Sequence, residues 1–195
     1  MTKQLFVFLL FSVTAACSQK NKDNYVPKPK GYPRIDLPEH AYQTLPPVHP
    51  YQFEFSRYAR ILPDTFARSE PHWIFVHYPK YQASVQLTYK PVRNDPGRLK
   101  AMLEDSYKLA AKHNIKAYAI EERVMKTPSG LTANLIELSG EVPSQFQFIT
   151  TDTTTHFLRG ALYFNTATAN DSLAPVIEYI KQDMVHMLNT LKWRQ

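Results

Sequence analysis

The chain reads as an α+β domain: a mainly antiparallel sheet packed with two amphipathic helices, preceded by a Pro-rich extended arm. Three observations predict it. Strand-like runs follow one another through short turns, which favours antiparallel pairing. Two apolar stripes recur at helical period and need a sheet face to cover. Seven of the 15 prolines crowd between Pro27 and Pro50, where each fixes φ and removes a backbone donor.

Lys3 supplies a short basic start, and an apolar run from Leu5 to Ala16 follows, ending in small residues before Cys17. This is the layout of a secretory signal peptide over residues 1–16. Twelve residues at ~1.5 Å each reach about 18 Å, short of a ~30 Å hydrocarbon core, so a permanent transmembrane helix is not expected. Thr14-Ala15-Ala16-Cys17 resembles a bacterial lipobox, with Thr14 in the place usually held by Leu. Cys17 is the only cysteine, so an internal disulfide is excluded and the thiol is the expected lipidation site. Acyl chains such as palmitate, at ~0.8 kcal/mol per buried methylene, would hold it on a bilayer.

The formal charge of +6 and pI near 9.3 favour acidic partners. They do not point to nucleic acid, because no dense Lys/Arg run is present. A solvated surface with a mild positive excess is the plainer account.

Residues 17–50 read as a lipid-anchored tether and the Pro-rich arm. Tyr25, Tyr32, Ile35, Leu37, Tyr42 and Tyr51 are interspersed among the prolines, so the arm is expected to lie extended across the domain with its rings packed on it; a free linker is the bland alternative. Residues 51–195 read as one α+β domain. His72–Tyr78 and Ala83–Lys90 are strands, the second alternating Val85, Leu87 and Tyr89 inward. Arg98–His113 is a helix presenting Leu99, Met102, Leu103, Ser106, Leu109, Ala110 and His113, with Asn114 as its stop. Strands follow at about Tyr118–Met125, Leu131–Leu138, Gln145–Thr151 and His156–Phe164. A last helix runs from a cap at Asp171 to about Lys192. The order of elements resembles that of Mog1/PsbP-like domains.

The chemistry-bearing motifs are few. There is no nucleophile elbow, zincin motif, phosphate-cradling glycine loop or Cys/His zinc pattern. No metal, no cofactor and no small-molecule substrate are expected. His72 and His77, on one strand, should point to opposite faces. Two polar residues fall in apolar registers: Glu122, beside Tyr118, Ile120 and Val124, and His156, beside Leu158 and Leu162. Buried groups of this kind need a partner or a shifted pKa. A Glu122/His156 acid–base pair with Asp152, in a small envelope enzyme, is the sharp alternative; a structural hydrogen bond is the bland one. The other face of the last strand carries Phe157, Arg159 and Tyr163, residue types enriched at interfaces. If no helix covers that face, it is the candidate partner-binding surface.

Tyr25-Val-Pro-Lys-Pro-Lys-Gly-Tyr32, Arg34-Ile-Asp-Leu-Pro38 and Pro50-Tyr-Gln-Phe-Glu-Phe55 resemble the gliding-motility lipoprotein GldD family. So do Leu103-Glu-Asp-Ser106, Ala110–Ala117, Ile120-Glu-Glu122, Thr151–Phe164 and Asp171-Ser-Leu-Ala-Pro175. The resemblance implies a non-enzymatic accessory or assembly component of bacterial gliding motility and the linked type IX protein secretion system. Its partners would be other envelope proteins of that apparatus, and its membrane contact the acyl chains on Cys17. Ser18-Gln-Lys-Asn-Lys-Asp23 lacks the acidic signal of surface-displayed lipoproteins. An outer-membrane anchor facing the periplasm is therefore expected.

Overall fold

The computed structural model describes residues 34–112, 117–165 and 170–194, without the side chains of Asn170 and Asp171. The expected signal peptide over residues 1–16, Cys17, Tyr25, Tyr32, His113 and Asn114 lie outside the described residues.

The arm contributes β1 (Tyr42–Thr44), followed by β2 (Tyr51–Gln52), β3 (Glu54–Ser56) and β4 (Arg60–Pro63). Next come β5 (Ile74–Tyr78), β6 (Ala83–Pro91) and helix α1 (Pro96–Ala111). The meander β7 (Ala117–Lys126), β8 (Thr132–Gly140), β9 (Phe146–Thr151) and β10 (His156–Phe164) follows. Helix α2 (Asn170–Thr190) and β11 (Lys192–Trp193) close the chain.

The main sheet has seven strands in the order β4-β5-β6-β10-β9-β8-β7. Every adjacent pair in it is antiparallel. After β6 the chain crosses through α1 to the far edge, and the meander then walks back until β10 pairs with β6. This crossover decides what α1 can cover. The two faces of the sheet follow the two-residue alternation of each strand. One carries Val76, Val85, Leu87, Leu158, Leu162, Phe148 and Leu135 against Val176, Ile180, Met184 and Leu188 of α2, forming the main core. The other carries Ile136, Leu138, Ile149 and Phe157 against Met102 and Ala110 of α1.

Helix α1 starts two residues before its apolar pattern. Asp95 accepts from the Gly97 and Arg98 amides at 2.8 and 3.1 Å, and Pro96 stands at the first helical position. An Asp cap followed by Pro satisfies orphan donors with a residue whose φ is already helical. Helix α2 begins at Asn170, one residue before the expected cap at Asp171, whose side chain lies outside the described residues.

Arm residues Ile35 and Leu37 pack on the main core, and Leu45 is buried in it. His40 bonds to Asp183, and β1 pairs with β3. Prolines on either side keep β1 to three residues, and a short peripheral pairing is where flanking prolines are tolerated.

Two expectations are corrected here. His72 lies before β5 in a left-handed conformation, φ 70°, so it does not share a strand with His77; its ring meets His49 instead. Glu122 is exposed. It stands on β7, the outer strand of the sheet, opposite Ile136. Helix α1 sits over β8 to β10 and stops short of that edge, leaving Ile120 and Val124 exposed as well. The strand keeps its alternation, but an edge strand on the incompletely covered face has nothing to bury it.

Candidate docking cleft

Glu122 and His156 do not meet. Three strand spacings separate β7 from β10, or about 14 Å at ~4.8 Å per strand. His156 is buried and pairs with the Tyr89 hydroxyl through Nδ1 at 2.9 Å. Its ring stacks on Trp193 with centroids 5.0 Å apart. Burial lowers its pKa, an effect partly opposed by Asp152. Asp152, in turn, is committed to the β9–β10 turn. Its Oδ1 accepts from the Thr154, Thr155 and His156 amides at 3.0, 2.8 and 2.8 Å. Burial alone would raise its pKa, but these three donors outweigh that and hold it below the ordinary value. The carboxylate closes a tight turn in which Thr153 adopts φ 68°, and its Oδ1 is spent on the three backbone amides of that turn. The acid–base constellation is thus not assembled.

The other strand face tells a different story. Phe157 is buried beneath α1, so a helix does cover that end of β10. Arg159 and Tyr163, two and six residues further along, lie at the flank of α1, Arg159 buried and Tyr163 half-buried. Together the three line a cleft of about 300 Å³ between α1 and the β6/β10 pair, with Trp73, Gln86, Thr88, Lys90, Met102, Asp105, Ser106 and Leu109. Helix α1 therefore divides the face: one half is core, the other is a walled recess.

The recess has an aromatic and apolar wall and a polar floor. Trp73 is fixed by an indole N–H bond to the Tyr89 carbonyl at 2.8 Å. Lys90 lies 5.6 Å over its ring and bridges to Glu70 at 3.0 Å. At the base, Arg159 is 95% buried. Its Nη2 donates to Gln147 Oε1 at 2.5 Å, while its Nε, and the Nε2 of Gln147, have no hydrogen-bond partner. Among the described residues no carboxylate comes within ion-pairing distance of this guanidinium. Asp105, across the cleft, is instead 4.0 Å from Lys108. A buried cation whose partner is one neutral amide oxygen is costly to maintain.

Sequence reasoning brought Phe157, Arg159 and Tyr163 to one face but missed Gln147 and Trp73. Gln147 was within reach. Arg159 pairs with Ile149 in register, so Gln147 is its diagonal neighbour on the same face. Trp73 precedes β5, and nothing in its local pattern connects it with β10. Among the described residues no group of three or more His, Cys, Asp or Glu could hold a metal ion. None of the described helices is long and apolar enough to cross a membrane.

Comparison with known proteins places these features in context. The model of the family described as "Gliding motility lipoprotein GldD" matches residues 22–193. No curated protein sequence matches the chain. Among solved structures, the chain is similar to cyanobacterial PsbP (CyanoP) from Synechocystis sp. PCC 6803, with TM-score 0.46 and 9% identity over 83% of this chain and 97% of that one. It is also similar to the Saccharomyces cerevisiae Ran-binding protein Mog1p, with TM-score 0.46 and 9% identity over 79% of this chain and 96% of that one.

Proposed function

Because the chain belongs to the gliding motility lipoprotein GldD family, we propose that it works as a tethered docking subunit: a folded body held beside a bilayer, with the cleft side of its sheet receiving an envelope partner. At the coarser level the family assignment is sufficient. The protein is an envelope lipoprotein and a non-enzymatic accessory or assembly component of gliding motility and the linked type IX secretion system.

The finer reading rests on one observation. Helix α1 leaves half of its sheet face uncovered, and that half presents Arg159 and Tyr163 from a recess walled by Trp73 and Met102. Aromatic, Met and Arg side chains around a desolvated pocket are the make-up of interface hot spots. Acylation of Cys17 would supply the tether, and the basic stretch after it favours a periplasm-facing outer-membrane anchor.

Crosslinking followed by affinity purification of the full chain from a gliding bacterium tests the docking reading. Tyr163→Ala should lose the crosslinked partner and motility while the purified variant keeps its fold. Glu122→Gln should change neither. A chain that restores gliding to a deletion strain yet crosslinks to nothing would end this reading. Mass spectrometry of the mature N-terminus tests the tether separately, by the presence of acyl chains on Cys17.

A further inference from the structure

The docking reading leaves open what the cleft recognises, and the atoms at its base point to an answer. We propose that the cleft receives a carboxylate, presented by an Asp or Glu side chain of the partner protein and seated against Arg159. The inference rests on the docking reading for the source of the group and on the geometry below for its chemistry.

Three features converge. First, Arg159 is 95% buried and has one neutral acceptor, with its Nε unpartnered. Guanidinium presents five donors in a planar fork matched to carboxylate. Second, the neighbouring unsatisfied group is also a donor, Nε2 of Gln147. Gln147 does not itself line the cleft, so it offers Arg159 no further acceptor from below, and the guanidinium calls for an anionic acceptor from the cleft side. Third, at about 300 Å³ the recess stands at the lower limit of pockets that hold drug-sized ligands. It suits a side chain better than a larger molecule. Trp73, Phe157 and Met102 would pack the methylene stem of such a side chain, while the net positive charge of the protein favours approach of an acidic surface.

Completion of the pair also explains why the arginine is tolerated. Unpaired, it carries a desolvation penalty; with a carboxylate seated, that penalty is offset by charge-assisted hydrogen bonds in a recess screened from water. The isolated subunit would hold this charge in readiness, and part of the binding free energy would come from relieving it.

Trp73 lines the cleft and provides the readout. Its fluorescence, in the full chain in detergent micelles with Trp193→Phe as background, is followed during titration with N-acetyl-glutamate amide, N-acetyl-glutamine amide and inorganic phosphate. Saturable change with the glutamate probe, about tenfold or more tighter than with the glutamine probe, is expected. Equal response to both, or a preference for phosphate, would overturn the proposal, the latter by marking a free-anion site. Arg159→Gln should abolish the glutamate response. Because that variant could fold poorly, Gln147→Glu is the decisive companion: it gives Arg159 a carboxylate of its own, so the chain should stay folded and lose the probe. Retained probe binding in folded Gln147→Glu counts against the proposal.

The same variants separate the two readings. Partner crosslinking that survives in Gln147→Glu but fails in Tyr163→Ala keeps the docking surface and removes the carboxylate. Wild-type chain that binds the glutamate probe yet crosslinks to no partner removes the docking reading alone.

Discussion

His40 Nδ1 lies 2.7 Å from Asp183 Oδ1, joining the Pro-rich arm to helix α2 across 143 positions of sequence. Asp183 is almost wholly buried and also accepts from the Tyr78 hydroxyl at 3.0 Å. His40 completes its bonding through Nε2, 3.0 Å from Gln182 Oε1, and stacks on Tyr179 with centroids 4.3 Å apart. Nearby, Tyr42 stacks on His186, whose Nε2 reaches Glu54 at 2.8 Å. The arm is thus held by polar anchors as well as by Leu45.

Removal of this anchor should loosen the arm before it unfolds the body. His40→Ala leaves a buried carboxylate short of one donor, at a cost of about 1–3 kcal/mol. Asp183→Asn should cost a similar amount, and the double variant less than the sum, because both remove one interaction. Denaturant unfolding gives the energies. Amide exchange at Leu45, whose N–H donates to the Phe53 carbonyl at 2.9 Å, should accelerate in His40→Ala while exchange in β9 does not. Uniform acceleration throughout the sheet would show that the contact has no local role.

Gly160 stands in the middle of β10, opposite Phe148 of β9. A Cβ there would lie 2.2 Å from Cε1 and 2.5 Å from Cζ of the Phe148 ring. The ring covers the glycine, and both face α2 in the main core. Gly160→Ala should therefore destabilise by about 1–3 kcal/mol through overpacking. Phe148→Leu introduced into Gly160→Ala should recover part of that loss, although Phe148→Leu alone destabilises. Urea midpoints of the four proteins measure the coupling, and simple additivity would reject the clash.

The sequence was most legible where period and burial agree. The runs read as His156–Phe164 and Leu131–Leu138 recur as strands because both faces of β10, and most of β8, are covered. Helix α2 was visible for the same reason: Val176, Ile180, Met184 and Leu188 all meet one sheet face. What failed depended on position in the sheet. Glu122 obeys the alternation and yet is exposed, because strand order puts β7 at the edge; order is set by a crossover that no local pattern encodes. Asp95-Pro96 was a local start signal that the apolar stripe of α1 overshadowed. In the candidate site, Arg159 and Tyr163 were legible from residue type and parity. Its depth was not, since that depends on how far α1 lies across β10.

Stability should fall on the acidic side in two stages. His156 has a pKa lowered chiefly by burial, and His49 one lowered by burial and by His72. Below the ordinary value of 6.5 the unfolded chain takes up protons that these folded imidazoles refuse. This contribution is therefore full above that value and is lost as pH falls beneath it. Asp152 acts lower: its pKa lies below the ordinary 3.8, so its contribution is present above that value and is lost as pH drops through the folded one. His156→Phe keeps a ring for Trp193 and should flatten the first stage in part, His49 supplying the rest. Denaturant unfolding between about pH 7.5 and 5 reads the slope; an unchanged slope would contradict the assignment.

The alkaline limb follows from the tyrosines around Asp183. Tyr78 is held well above the ordinary 10.0, first by burial and then by the Asp183 carboxylate, and Tyr179 is pushed up to about 12 by the same two causes. Tyr42 and Tyr51 are also raised, with burial the largest cause for each. Above the ordinary value the unfolded chain releases protons that the folded phenols retain. Stability is thus intact below that pH and declines as pH rises beyond it. Tyrosinate absorbance should grow in two parts: a gradual rise from exposed rings, then a cooperative step that coincides with loss of the circular dichroism of the fold. In Asp183→Asn the carboxylate no longer opposes ionisation, so folded Tyr78 should ionise at a lower pH and the total alkaline loss of stability it contributes should be smaller, even though the protein is weaker at neutral pH. A larger loss, or a cooperative step without unfolding, would show that these phenols titrate independently of Asp183.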